Sequence, residues 1–108
     1  MFNQSQIDAM VEAIVRTVHP LHVVLFGSYA RGDIRGGSDV DLLVVEKEPF
    51  QGLCSRWNEI KTIRNVLRPF KGAKDILVYS QEEVEKLKDS LNHVVGEAFR
   101  EGKVLYEA

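Results

Sequence analysis

Hydrophobic positions in the first part of the chain follow helical spacing. Apolar residues recur every three or four positions, and the series stops before His19 and Pro20. Its members are Ile7, Met10, Val11, Ile14, Val15 and Val18. This stripe predicts an amphipathic first helix that packs on a core. Ser5 followed by Asp8 is typical of a helix start, so we expect the cap there.

Two short apolar runs follow, and a turn-rich segment separates them. Residues 21–26 and 39–45 are rich in branched and aromatic side chains, and each run predicts a strand. Gly27 and Ser28 come directly after the first run, and further glycines precede the second. The pattern therefore predicts a strand, a glycine loop and a second strand.

The remaining chain alternates again between the two spacings. We expect a helix over 51–68, a strand over 76–78 and a helix over 81–88. A last amphipathic helix ends at Gly102 and is followed by a short strand over 104–106. Its predicted apolar face consists of Leu91, Val94, Val95, Ala98 and Phe99. This order of elements predicts one α/β domain over residues 1–108.

Composition narrows the class of protein. The chain has 108 residues and a formal net charge of −2, which disfavours nucleic acid as a partner, although a local basic patch stays open. Its apolar runs are far shorter than the ~20 residues that span a bilayer, and the first residues lack a signal-peptide pattern, so we expect a cytoplasmic protein. Cys54 is the sole cysteine, which excludes an internal disulfide and predicts a small semi-buried thiol.

Two carboxylates in the second strand carry the first chemical signal. Side chains alternate along a strand, so Asp39 and Asp41 share one face while Val40 and Leu42 point into the core. Paired carboxylates repel one another and form a cradle for a divalent cation. Mg²⁺ is the expected ion because it prefers oxygen ligands and shares them with phosphates.

The glycine loop and a third carboxylate extend this site. Gly27 allows close approach of the backbone to a ligand, and Ser28 offers a hydroxyl and an N–H at the start of a short helical turn, where phosphate is favoured. Asp75 opens the third strand and completes the set as a metal ligand or base, or else is a solvated residue at the strand entry. Two metals at such a site would activate an attacking hydroxyl and stabilise departing pyrophosphate.

The motif G-S-x-A-R-G-x5-S-D-x-D-L, followed by the distant Asp75, resembles the nucleotidyltransferase superfamily of the DNA polymerase beta type. More narrowly, the chain is similar to the minimal nucleotidyltransferases, or MNT proteins. The resemblance implies a small mixed β-sheet flanked by helices. It also implies that Gly27, Ser28 and Ser38 bind the nucleotide, and that Asp39, Asp41 and Asp75 are the catalytic carboxylates that hold Mg²⁺.

The same resemblance implies a function. MNT proteins transfer AMP from ATP to a tyrosine hydroxyl of a HEPN-type toxin, so we expect the antitoxin of a HEPN/MNT pair in a hetero-oligomer. Two alternatives stay open. One is an antitoxin that acts by binding alone and keeps a vestigial nucleotide site. The other is a nucleotidyltransferase for a small hydroxyl compound such as an aminoglycoside.

Basic residues cluster in the predicted helix over 51–68 and just after it. They are Arg56, Lys61, Arg64, Arg68, Lys71 and Lys74. We read them as a solvated flank of the helix; the functional alternative is that Lys71 or Lys74 meets the triphosphate or an acidic partner. Trp57 is either a core residue or an interface anchor. Asp33 is expected to face solvent, and Arg31 is a candidate contact for nucleotide or partner.

Overall fold

The computed structural model describes residues 2–33, 39–51 and 55–108. Ser38 and Cys54, two residues singled out above, lie outside the described residues. The described chain forms five helices and four strands. In chain order they are α1 (Gln4–Val18), β1 (His22–Phe26), α2 (Ser28–Arg31), β2 (Val40–Glu46), α3 (Arg56–Val66), β3 (Lys74–Ser80), α4 (Gln81–Leu87), α5 (Val94–Glu101) and β4 (Lys103–Glu107).

The four strands form one mixed sheet in the order β3-β2-β1-β4. β1 pairs antiparallel with both β2 and β4, whereas β2 and β3 are parallel. The parallel pair needs a crossover connection, and α3 lies within it. This architecture confirms the predicted fold class, a small mixed sheet flanked by helices.

Helices cover both faces of the sheet. On one face, the apolar stripe of α1 packs with α3 against alternate strand residues, including Val23, Leu42 and Val78. On the other face, α4 and α5 pack against the intervening strand residues, including Val24 and Leu43. β2 is therefore buried on both sides, which explains its almost unbroken run of apolar residues.

Several element boundaries differ from the prediction. The cap of α1 is Asn3, two residues before the predicted Ser5. The Asn3 side chain accepts a hydrogen bond from the Gln6 N–H at 2.8 Å, and the Gln6 side chain accepts one from the Asn3 N–H. α3 begins only at Arg56, after the cap residue Ser55, rather than at residue 51. Leu91 lies outside α5 and is 79% exposed, so its assignment to the apolar face was wrong.

No helix within the described ranges is long and apolar enough to cross a membrane. α1 is fifteen residues long and only one of its faces is apolar. Its buried residues are Ile7, Met10, Val11 and Ile14, which are members of the predicted stripe. The helix is therefore amphipathic and packs on the sheet, as its spacing predicts.

Candidate active site

The register between β2 and β3 places two of the three predicted carboxylates next to each other. Asp41 in β2 is paired with Asp75 in β3, so both side chains leave the sheet on the same face, with Cα atoms ~5 Å apart. Asp39 lies two residues before Asp41, just ahead of β2, and is exposed. This face is the one that α4 and α5 cover further along the strands.

The glycine loop begins beside the same carboxylate. Phe26, the last residue of β1, is the cross-strand partner of Asp41, so the chain leaves the sheet next to it at Gly27. Gly27 has φ +71°, a conformation that side chains rarely adopt, and a Cβ added there would lie 2.2 Å from Oδ2 of Asp41. The Asp41 carboxylate thus occupies the space that any other residue at position 27 would need.

A single helical turn follows Gly27. The carbonyl of Gly27 accepts hydrogen bonds from the N–H groups of Ala30 and Arg31, both at 3.1 Å, and α2 ends at Gly32 with φ +76°. The first N–H groups of the turn, from Ser28 and Tyr29, have no acceptor within a helix. The short helical turn predicted at Ser28 is therefore confirmed. Because it follows Gly27 directly, its first N–H groups lie near Asp41.

Burial and neighbouring carboxylates perturb the pKa of Asp41. The pKa of Asp41 is raised from 3.8 to about 6, mainly by partial burial and then by the charges of Asp75, Asp39 and Glu97. Arg31 acts in the opposite direction. Asp41 is thus held among like charges, a state that a bound cation or a proton would relieve.

These side chains offer what Mg²⁺ requires without enclosing it. Within the described ranges, no three His, Cys, Asp or Glu side chains converge as a ready-made metal cage. Mg²⁺ is commonly bound by one or two carboxylates together with substrate phosphates, and an open cluster suits that mode. The crowded carboxylates beside Gly27 therefore fit a Mg²⁺ ion that arrives with a nucleotide, with Asp39, Asp41 and Asp75 as its candidate ligands.

One residue near this cluster, Glu97, was not predicted as part of it. Glu97 in α5 acts electrostatically on Asp41, and it pairs with Arg31 of α2 at 3.9 Å. Arg31, whose contacts the sequence did not specify, thus pairs with a carboxylate of α5. The only sequence signal for Glu97 was an acidic position on an amphipathic helix, and that signal does not reveal which strand the helix covers.

The basic residues divide between structural roles and open surface. The Nζ of Lys74 donates to the carbonyls of Phe70 and Gly72 and lies 5.6 Å from the centre of the Phe2 ring. It therefore points to the α1/α3 side of the sheet, away from Asp75, and its proposed contact with the triphosphate is wrong. Arg56 is held by Glu83 and stacks over Phe50 and Tyr79.

Tyr29 follows Ser28 and is buried. Its hydroxyl accepts a hydrogen bond from the Phe2 N–H at 3.1 Å, which ties the start of the chain to α2. The residue thus anchors the turn from its buried side, leaving Ser28 half-buried on the side of the carboxylates.

Known proteins show the same architecture. Residues 7–105 match the family model described as "Nucleotidyltransferase domain". A Sulfolobus solfataricus protein described as a nucleotidyltransferase superposes with a TM-score of 0.64 at 21% identity, over 95% of this chain and 78% of that one. Among curated proteins, none matches the chain significantly.

Two further solved structures are toxin–antitoxin complexes. One, with AMP-PNP, matches at a TM-score of 0.57 and 20% identity, over 94% of this chain and 73% of its own. The other, a tri-AMPylated Shewanella oneidensis HEPN toxin with its MNT antitoxin, matches at 0.55 and 17%, over 97% and 72%. At these identities the likeness concerns the fold. The family match covers nearly the whole chain, from α1 to β4, and the chain therefore belongs to the nucleotidyltransferase domain family.

Proposed function

We propose that this protein is a Mg²⁺-dependent nucleotidyltransferase that moves AMP from ATP to a tyrosine hydroxyl of a HEPN-type toxin, as its antitoxin. One observation carries the proposal: the turn that begins at Gly27 lies against the carboxylate of Asp41, and Asp41 pairs with Asp75 on the neighbouring strand. A turn suited to phosphate and carboxylates suited to a cation are thus adjacent, as phosphoryl transfer requires.

In this proposal, the backbone at Gly27 and the N–H and hydroxyl groups of Ser28 bind the triphosphate, because the unpaired N–H groups of a helical turn favour anions. Ser38, outside the described residues, contacts the same nucleotide. Asp39, Asp41 and Asp75 would hold Mg²⁺. The ion would neutralise phosphate charge and lower the pKa of the attacking hydroxyl.

The transfer itself is an in-line displacement. The acceptor oxygen forms a bond to the α-phosphorus, the bond from that phosphorus to the bridging oxygen breaks, and pyrophosphate leaves. Asp75 is the more exposed of the two paired carboxylates, and in this proposal it accepts the proton that the acceptor hydroxyl loses. The proton acceptor and the phosphate-binding turn then lie on the two sides of Asp41.

The choice of acceptor is supported by the structural neighbours. Two of the three described above come from toxin–antitoxin complexes, and in one of these the HEPN toxin is tri-AMPylated. We propose the same class of partner here, in a cytoplasmic hetero-oligomer. The exposed positions of Asp39 and Asp75 suit an acceptor that belongs to another molecule, since a large partner can reach them.

The test is transfer of label from α-³²P-labelled ATP with Mg²⁺ into proteins of the source cell's lysate. The α label is chosen because a kinase would not transfer it. Wild type is compared with Asp39→Asn/Asp41→Asn, with Asp75→Asn and with Asp89→Asn, an exposed carboxylate between α4 and α5 that serves as matched control. We expect one small labelled protein with wild type and the control, modified on tyrosine, and at least ~100-fold less label with the other variants.

Each other outcome contradicts a stated part of the proposal. Label transfer by the double variant would place the reaction elsewhere. An absence of label, with equal toxin binding by wild type and double variant, would mean an antitoxin that acts by binding alone. Label in a small compound rather than a protein would identify a different acceptor class. Full activity of Asp75→Asn would remove Asp75 from the site.

A further inference from the structure

The outer face of α3 carries an unusual row of side chains. Trp57, Lys61, Arg64 and Arg68 follow one another at spacings of four, three and four residues. Trp57, Lys61 and Arg64 lie within an arc of roughly 60° of α3 at 100° per residue, and they extend over ~10 Å along the helix. Arg68 follows just after the end of α3 and lines the same cavities as Arg64. Trp57 is 59% exposed, and the Nζ of Lys61 lies 5.9 Å from the centre of its ring.

Two adjoining surface cavities follow this row and share Arg64 and Arg68. The first, of 600 Å³, is lined by Lys61, Thr62, Arg64, Asn65 and Arg68. The second, of 370 Å³, continues to the start of β3 and adds Lys71. We call the row together with Lys71 the α3 groove. Neither cavity is lined by an acidic side chain.

The basic side chains of the groove form no ion pairs with the described residues of the chain. Lys61, Arg64, Arg68 and Lys71 make no ion pair with any residue in the described ranges, whereas the bridges that do form engage other basic residues, such as Arg56 and Arg31. The chain's net charge of −2 thus conceals a positive surface at the groove, because no acidic side chain lines its two cavities. Four uncompensated cations in a row attract a polyanion.

We infer that the α3 groove binds single-stranded nucleic acid, with the cations on successive phosphates and Trp57 stacked on a base. An exposed aromatic ring at one end of a basic groove is the combination that binds single strands without sequence preference. A protein partner fits less well, because interface cores are depleted of lysine and need apolar area. Trp57 is the only large apolar side chain of the row that is exposed.

The groove is separate from the candidate active site. Leu67 and Ile76, which line it, belong to the α1/α3 core, whereas Asp41 and Asp75 leave the sheet on the opposite face. Nucleic acid and nucleotide can therefore be bound together. The inference does not depend on the proposed transfer reaction.

The experiment uses the fluorescence of Trp57, the only tryptophan of the chain, during titration with a 12-nucleotide oligouridylate. We expect quenching at 50 mM salt and a plot of log affinity against log salt with a slope of about −3, from four phosphate contacts at ~0.7 each. The variant Arg64→Gln/Arg68→Gln should bind at least tenfold more weakly, with a slope closer to zero by about 1.4. Trp57→Phe, followed by the anisotropy of a labelled oligomer, should weaken binding with an unchanged slope.

A matched control removes two cations far from the groove. Arg16 and Lys86 are exposed, and Arg16→Gln/Lys86→Gln should leave affinity and slope as in wild type. The inference is overturned if no quenching occurs at 50 mM salt, or if the control weakens binding as much as the groove variant. Equal binding of polyglutamate with the same number of charges would also overturn it, in favour of an acidic protein. Unchanged circular dichroism of each variant shows that it is folded.

Discussion

Replacing Asp41 with asparagine should make the protein more stable at pH 8 when no metal is present. The carboxylate lies among Asp75, Asp39 and Glu97, and its pKa is about 6 in the folded chain against an ordinary 3.8. The folded state therefore holds a proton on Asp41 more tightly than the unfolded state does. Its contribution to stability is fully present below pH ~3.8 and is lost as the pH rises through about 6.

The magnitude follows from the two pKa values. The full difference corresponds to ~3 kcal/mol of unfolding free energy. Asp41 keeps part of its contact with solvent, which screens the repulsion, so we expect about 1–2 kcal/mol. Asparagine has nearly the same shape and carries no charge, so it removes the repulsion and leaves the space beside Gly27 filled.

The assay is urea unfolding in EDTA at pH 4.5 and pH 8 for wild type, Asp41→Asn and the exposed control Asp89→Asn. The stabilisation by Asp41→Asn should be present at pH 8 and small at pH 4.5, while the control stays within ~0.5 kcal/mol of wild type. Added Mg²⁺ should stabilise wild type at pH 8 and have less effect on Asp41→Asn. An Asp41→Asn protein that is no more stable than wild type at pH 8 would refute the reasoning.

Two further predictions concern other positions. Gly27→Ala and Gly32→Ala both place a side chain at positive φ, at a cost of ~1 kcal/mol each, but only at position 27 does the new Cβ meet Asp41, at 2.2 Å. Gly27→Ala should therefore abolish nucleotide transfer, and in urea unfolding it should lower the free energy of unfolding more than Gly32→Ala does. Equal losses of stability at the two positions would contradict the contact with Asp41. Burial raises the pKa of Glu46 to about 8, with Glu59 adding a hydrogen bond and a like charge. The free energy of unfolding should therefore fall as the pH rises from 4.5 to 8, with a slope well below ~1.4 kcal/mol per pH unit because solvent screens this half-buried carboxylate. Glu46→Gln should flatten this dependence in urea unfolding from about pH 5 to 9, and an unchanged dependence would contradict the prediction.

Local patterns in the sequence predicted the parts of this site that depend on local geometry. The two-residue period of a strand predicts that Asp39 and Asp41 share one face, and a glycine after a strand predicts a turn. The turn at Gly27 is confirmed and Asp41 lies within β2, whereas Asp39 lies just ahead of that strand. The contact between Gly27 and Asp41 depends instead on the pairing of Phe26 with Asp41 across the sheet. No local signal gives that register, because a long turn-rich segment separates the two strands.

Long-range packing also explains what sequence reasoning missed. Glu97 reaches Asp41 only because α5 lies on that face of the sheet, and the helix alone does not specify its neighbour. Leu91 fitted the helical period, but the chain turns between α4 and α5 and leaves it exposed. The cap of α1 illustrates a different difficulty, since Asn3 and Ser5 are both good caps and the reciprocal bond with Gln6 decides between them.

The pairing of β1 with β4 has a consequence for synthesis of the chain. β1 lies between β2 and β4, and Leu25 pairs with Lys103, so one edge of β1 stays open until residues 103–107 have been made. The strand His22–Phe26 is apolar, branched and free of proline and formal charge, which is the composition of segments that aggregate as β-structure. A ribosomal pause between β2 and β4 would therefore prolong the exposure of this edge, and the yield of soluble protein should depend on how quickly β4 follows.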